Sequence, residues 1–200
     1  MTAGADPRNG LTAQGREQVS ANTKQWLVAQ HATIERYALE HRLALVNSPF
    51  SRARETAEIV ADVIDAAFPS ATAGMSATLR SQIELVPDLR ERNFGSFEGQ
   101  DHSDRIYQRV WEQDARDPTH TLRGVESVQA VQDRASRVIV ELEASARARG
   151  RLLYLLVSHG DTLKILQSGL QRQSPAAHVD PALVPPYRTG EIRALTLMDY

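Results

Sequence analysis

The chain has 200 residues, 42% of them apolar, and a formal net charge of −2, which excludes an intrinsically disordered chain. The near-neutral balance provides no positive field for nucleic acid, and the absence of cysteine excludes disulfides, thiolate metal sites and cysteine nucleophiles. No apolar run approaches the roughly 18 residues of a membrane-spanning helix. Residues 1–10 lack the charge and hydrophobicity pattern of a signal peptide, so we expect a cytoplasmic protein without a membrane partner.

Hydrophobic periodicity predicts alternating helices and strands along the first half of the chain. A helix is predicted over residues 12–30, a short buried strand over 41–47 and a second helix with one apolar stripe over 51–68. Residues 69–88 are predicted to form a loop with a short extended piece at 83–86.

The second half begins with residues 89–124, whose glycines, proline and charges predict an inserted segment that leaves the sheet and lies over one of its ends. We call this segment the excursion. The elements predicted in the second half are helices at 103–113, 127–147 and 161–170, a buried strand at 151–157, a loop at 171–190 and a final strand at 191–198. Strand–helix alternation predicts one α/β domain over residues 1–200 with a mostly parallel sheet.

Polar residues follow the two buried strands at the edge where parallel α/β sheets bind ligands. Arg52 comes soon after the first, and its planar guanidinium suits a phosphate. His159 and Gly160 follow the second at the start of a helix, where backbone N–H groups favour an anion. Taken singly, such a histidine or arginine is more often a partly exposed polar residue, and Glu91 would be a solvated loop charge.

Four segments together resemble the histidine phosphatase superfamily, also called the phosphoglycerate mutase-like family. Residues 10–18 are similar to its LTxxGxxQ segment, 48–57 to its SxxxRAxxTA motif, 89–99 to its LxExxxGxxEG loop and 156–160 to its VSHG strand end. Residues 124–127, with Arg134 beyond them, fit a weaker fifth segment. The segments occur in the family's order and cover nearly the whole chain.

The resemblance implies a three-layer α/β/α fold and a hydrolase of phosphomonoesters. The expected substrates are small phosphorylated metabolites, cleaved through a phosphohistidine without a metal or other cofactor. Glu91 and His159 are the implied catalytic residues, with Glu91 as the general acid or base. Arg52 and His159 are the implied phosphate-binding residues. These roles suit their chemistry, since a carboxyl group beside phosphate oxygens can carry a proton and a positioned arginine stabilises charge.

One part of the family pattern has no counterpart in the chain. The family's nucleophilic Arg-His-Gly motif and its strand are expected upstream of the LTxxGxxQ segment, but residues 1–9 contain neither, and His159-Gly160 is the only His-Gly pair. The missing strand is expected in the middle of the sheet, near residues 152–157. We therefore expect the chain to be inactive as it stands, with a truncated start. The alternative is a catalytically dead paralogue that binds phosphate or another protein.

Two other uses of histidine are disfavoured by the sequence. His159 could itself be the nucleophile, but it ends a different strand from the family's nucleophile. The remaining histidines match no metal-ligand spacing, so no metal is expected; they are His31, His41, His102, His120 and His178.

Overall fold

A computed structural model describes residues 6–69, 78–98, 104–150 and 152–195. Its helices are α1 (Ala13–Leu39), α2 (Ser51–Ala67), α3 (Asp104–Arg116), α4 (Val128–Ala148) and α5 (Gly160–Leu170). Its strands are β1 (Leu43–Asn47), β2 (Glu84–Leu85) and β3 (Leu153–Val157). No helix among these residues is both long and apolar enough to cross a membrane.

The described residues group into two compact units that alternate along the chain. The first unit contains the described residues up to Arg90 together with 140–158 and 188–193. The second unit contains residues 91–139 and 159–187 and the described residues from 194 onward.

The first unit contains a three-stranded parallel sheet in the order β2-β1-β3. Leu43 pairs with Leu153 and Asn47 with Val157, so β1 and β3 are in continuous register with no strand between them. The predicted α/β fold with a parallel sheet is confirmed.

β3 is more exposed than its sequence predicts. A strand with apolar residues on both faces is expected to be buried, yet every residue of β3 is only half-buried. Within the described part of the chain, β3 is an edge strand, and this position explains the exposure.

The helices of the first unit bury one side each. The side chain of Thr12 caps α1 by accepting a 3.0 Å hydrogen bond from the backbone N–H of Gly15. The predicted end of this helix near residue 30 is wrong, because Ile34 continues the buried side seven residues after Leu27 and α1 runs to Leu39. The buried core of the unit consists of Val19, Leu27, Ile34, Leu45, Ala57, Val60, Ala61, Ile64 and Phe68.

The predicted strand at 191–198 is wrong for the residues that the structure describes. Residues 191–195 form no strand. The backbone N–H of Glu191 donates to the carbonyl oxygen of Arg188 at 3.0 Å, and the Glu191 carboxylate accepts from the N–H of Arg188 at 2.9 Å. These local hydrogen bonds form a turn. Residues 196–198 lie outside the described part.

The second unit contains α3, α5 and the first half of α4. One small core consists of Phe94, Val110 and Val125, and another of Val128, Val131 and Ile165. The rings of Phe94 and Tyr107 meet edge to face with centroids 5.0 Å apart. The helix predicted inside the excursion at 89–124 corresponds to α3.

Candidate active site

His159 lies at the start of α5 in the second unit. Its extended backbone (φ −120°, ψ 153°) occupies the N-cap position, and its carbonyl oxygen accepts the first helical hydrogen bond from the N–H of Leu163 at 2.8 Å. The side chain is only 3% exposed. Gly160, the next residue, is exposed, and among the described residues no atom lies within 4 Å of where its Cβ would be. The residue after the buried histidine therefore leaves room for a ligand.

Glu91 lies in the same unit, in the irregular segment 91–94. Its Oε2 is 3.7 Å from Nδ1 of His159, an ion-pair distance when the imidazole is protonated. Its Oε1 accepts hydrogen bonds from the backbone N–H of Arg92 at 3.0 Å and from Oγ1 of the buried Thr162 at 3.3 Å. The side chain is 20% exposed. The structure therefore brings two predicted residues together and leaves the carboxyl group accessible to solvent.

Arg52 lies in the first unit, as the second residue of α2. It is half-buried, and its guanidinium carbon is 5.4 Å from the centroid of the Phe50 ring. A cation over an aromatic face at this distance is attracted by the ring. Arg52 is thus held near the first turn of α2, as predicted from its position after β1.

Arg134 and Glu126 form a pair behind Glu91. Arg134 Nε donates to Glu126 Oε1 at 2.8 Å and Nη2 donates to Oε2 at 3.0 Å. The same Nη2 donates to the backbone carbonyl oxygen of Glu91 at 3.4 Å. Both residues belong to the weaker fifth segment of the sequence, which assigned them no role.

A buried charge cluster centred on Asp114 also lies in the second unit. Arg92 donates to both carboxylate oxygens of Asp114 at 2.7 Å and contacts Asp161 at 3.4 Å. Nε2 of His120 is 2.7 Å from Asp114 Oδ1, and Nε2 of His178 is 3.4 Å from Oδ2.

The hydrogen bonds of this cluster determine the charge of Asp114. Burial alone would raise its pKa, but the hydrogen bonds from Arg92 and the contact with His178 outweigh burial and hold the pKa well below its usual range. Burial likewise opposes the charge of Arg92, and the bonds to Asp114 raise its pKa above the ordinary value. Both groups are therefore charged inside the protein.

Sequence reasoning missed this cluster because Arg92 carries no distinguishing signal. Arg90, two residues earlier, has the same chemistry but is 39% exposed and pairs with Asp88 at 3.1 Å. Only the packing of the second unit separates the two arginines.

The arrangement around Glu91 and His159 suits proton transfer beside an anion. A carboxyl group can give or take a proton, and a buried imidazole at a helix N-terminus can donate a hydrogen bond to an oxyanion.

Comparison with solved structures shows the same fold. A mycobacterial glucosyl-3-phosphoglycerate phosphatase is 22% identical over 88% of this chain and 74% of that one, with a TM-score of 0.59. YhfR of Bacillus stearothermophilus is 24% identical over 86% and 74%, with a TM-score of 0.56. The alpha-ribazole phosphatase of Shigella flexneri is 21% identical over 84% and 70%, with a TM-score of 0.50.

A search of curated proteins gave no significant match. The family model of the histidine phosphatase superfamily (branch 1) matches residues 3–187. This match covers most of the chain, including β1, β3 and the segments that hold Glu91 and His159, and so the chain belongs to the histidine phosphatase superfamily.

Proposed function

We propose that the chain supplies the acid–base and phosphate-binding residues of a phosphomonoester hydrolase. The observation that carries the proposal is the 3.7 Å contact between Oε2 of Glu91 and Nδ1 of the buried His159. Two of the structural neighbours reported above carry the names of phosphatases for small phosphorylated compounds, a glucosyl-3-phosphoglycerate phosphatase and an alpha-ribazole phosphatase. Small phosphorylated metabolites are therefore the substrate class that we propose.

His159 binds a phosphoryl oxygen in this proposal. With Nδ1 directed at Glu91, Nε2 is the ring nitrogen that donates to the oxygen. The first N–H groups of α5 add to this attraction, because the N-terminus of a helix favours negative charge. Arg52 is the second proposed phosphate-binding residue, since its guanidinium neutralises charge that develops on the oxygens.

Glu91 is the proposed general acid. In a hydrolase that has the family's histidine nucleophile, the phosphoryl group passes to that histidine, and the Glu91 proton passes to the departing oxygen as its bond to phosphorus breaks, which makes the alcohol a better leaving group. The hydrogen bonds from Thr162 and from the N–H of Arg92 occupy Oε1.

The 200 residues contain no Arg-His-Gly motif, which is the family's nucleophile. A covalent nucleophile accounts for many orders of magnitude in rate, so we propose that this chain by itself binds phosphate without turning over phosphomonoesters. In this form the chain is a phosphate-binding module, which was the alternative raised by its sequence.

Thermal unfolding with inorganic phosphate tests the binding step. Phosphate at about 100 times its dissociation constant stabilises the protein by about 2.7 kcal/mol, and we expect a matching rise in Tm. Arg52→Ala and His159→Gln are expected to lose most of this rise. Arg147→Ala is the matched control, because Arg147 is 85% exposed and pairs only loosely with Glu143 at 3.8 Å. A wild-type Tm that does not respond to phosphate would contradict the proposal and favour a protein-interaction module.

Turnover of p-nitrophenyl phosphate tests the proposed lack of hydrolase activity in this chain. We expect the 200-residue chain to hydrolyse p-nitrophenyl phosphate no faster than its His159→Gln variant does. Sequencing the N-terminal peptide of the protein purified from its natural source completes the test. An upstream Arg-His-Gly peptide supports the hydrolase, whereas a chain that begins at Met1 supports the binding module.

A further inference from the structure

The segment that carries Glu91 has no regular backbone of its own. Residues 91–94 follow a short 3-10 turn at Pro87–Leu89 and precede another at Gly95–Phe97. Helical or strand hydrogen bonds therefore do not fix the direction of the Glu91 side chain. A catalytic group must be held to within about 0.5 Å, so contacts from other parts of the unit have to supply that precision.

Glu126 supplies several of these contacts. Its backbone N–H donates to the carbonyl oxygen of Asn93 at 2.8 Å, and its carboxylate accepts from the N–H of Asn93 at 3.2 Å. Its carbonyl oxygen accepts from Nε of Arg92 at 2.7 Å. One residue thus binds the two positions that follow Glu91.

Arg134 completes the arrangement at Glu91 itself. Its side chain is 3% exposed, and its guanidinium is fixed by the Glu126 carboxylate through bonds of 2.8 and 3.0 Å. From this position Nη2 donates to the backbone carbonyl oxygen of Glu91. A charged donor strengthens such a bond, and the planar guanidinium gives it a direction.

We propose that Arg134, oriented by Glu126, is a positioning residue that directs the Glu91 carboxyl group toward His159. The inference rests on the role proposed for Glu91. Arg134 acts through the peptide group of Glu91 and touches neither the substrate nor the transferred proton. Its loss releases the backbone of residue 91, and the carboxylate then leaves its place beside the imidazole.

The ring nitrogens of His159 give a direct readout of this geometry. Their signals are followed by ¹⁵N NMR of histidine-labelled protein at one pH near neutrality and assigned with His159→Gln. Glu91→Gln removes the negative charge that favours the protonated ring, so the signals move toward the positions of a neutral imidazole. Arg134→Ala is expected to move them in the same direction by at least about half as far, while Arg147→Ala leaves them unchanged.

The same measurement in the Glu91→Gln protein separates a positioning role of Arg134 from general structural damage. If Arg134 acts through the Glu91 carboxyl group, Arg134→Ala in the Glu91→Gln protein produces less than about a quarter of the shift that it produces in the wild type. An equal shift in both backgrounds, or none in the wild type, overturns the proposal. If circular dichroism shows that Arg134→Ala does not fold, Arg134→Lys replaces it in the same comparison, with a smaller shift expected.

This experiment needs neither phosphate nor turnover. If phosphate fails to bind but the His159 signals respond as expected, the proposed function fails and the positioning role stands. If phosphate binds and the signals do not respond to Arg134, the positioning role fails alone.

Discussion

Arg92 and Asp114 form a bidentate pair with two hydrogen bonds of 2.7 Å, and neither side chain has any exposed surface. Taking two such charges out of water costs several kcal/mol for each, so the pair is stable only while both partners remain. Because Arg92 belongs to the segment of Glu91 and Asp114 to α3, the pair ties that segment to the helix.

Removal of the Asp114 carboxylate is expected to destabilise the protein strongly. Asp114→Ala leaves the buried Arg92 without its main partner, and breaking a buried pair in this way costs about 3–5 kcal/mol. Urea denaturation measures the loss. Asp133→Ala serves as the control, because Asp133 is exposed and accepts one bond from Gln129; its effect should stay within about 0.5 kcal/mol. Equal losses in the two variants would show that the cluster does not stabilise the fold.

The same carboxylate makes stability depend on pH in acid. Its pKa is lower in the folded protein than its ordinary value of 3.8, so its contribution is fully present above that value and is lost as the pH falls below it. The free energy of unfolding should fall by up to about 1.4 kcal/mol per pH unit from this group.

Urea denaturation at pH 5, 4 and 3 measures this slope. The Asp114→Asn protein should have a shallower slope than the wild type, whereas Glu141→Gln, at an exposed position, should keep the wild-type slope. Parallel curves for Asp114→Asn and the wild type would contradict the assignment.

Gly95 cannot be replaced by alanine without a large loss of stability. Its φ of +58° lies in the left-handed region, and a Cβ there would overlap the backbone of Arg123 and Gly124. Strain of the backbone and overlap together predict a loss of about 2–4 kcal/mol for Gly95→Ala in thermal or urea unfolding. The matched substitution Gly160→Ala meets no described atom and should change stability by less than about 1 kcal/mol.

Gly160→Ala is expected instead to weaken phosphate binding. A methyl group at this exposed position, beside His159, occupies the space through which an anion reaches the first N–H groups of α5. We expect a dissociation constant about tenfold higher by calorimetry, equivalent to about 1.4 kcal/mol. An unchanged constant would mean that phosphate does not approach the start of α5.

Where apolar residues recur with a clear helical period, the boundaries of the helix were predicted within a few residues. The apolar stripe of α2 gave its start at Ser51 and placed its end within one residue. The end of α1 was missed because the positions one turn after Leu27 hold the polar residues Gln30 and His31, and the period is visible only once Leu27 and Ile34 are both known to be buried. β3 was predicted as a strand, but its burial was overestimated because its place at the edge of the described sheet decides its exposure. The final strand was wrong because local hydrogen bonds form a turn there.

The candidate site was predictable where it depends on motifs. Glu91 and His159 were selected by resemblance, and the structure brings them together. Arg92 and Asp114 are 22 residues apart, and nothing in either local pattern connects them. Their pairing is a product of tertiary packing, which a single sequence does not show.

Glu91 and Arg92 are consecutive residues with separate tasks. One side chain faces His159 and the other is sealed inside the second unit with Asp114. A single-residue deletion just before them would move Arg92 to the position that faces His159, and a single-residue insertion would move Glu91 to the position that faces Asp114. The position of the carboxyl group beside His159 and the buried ion pair of the second unit therefore depend on the same register of this segment.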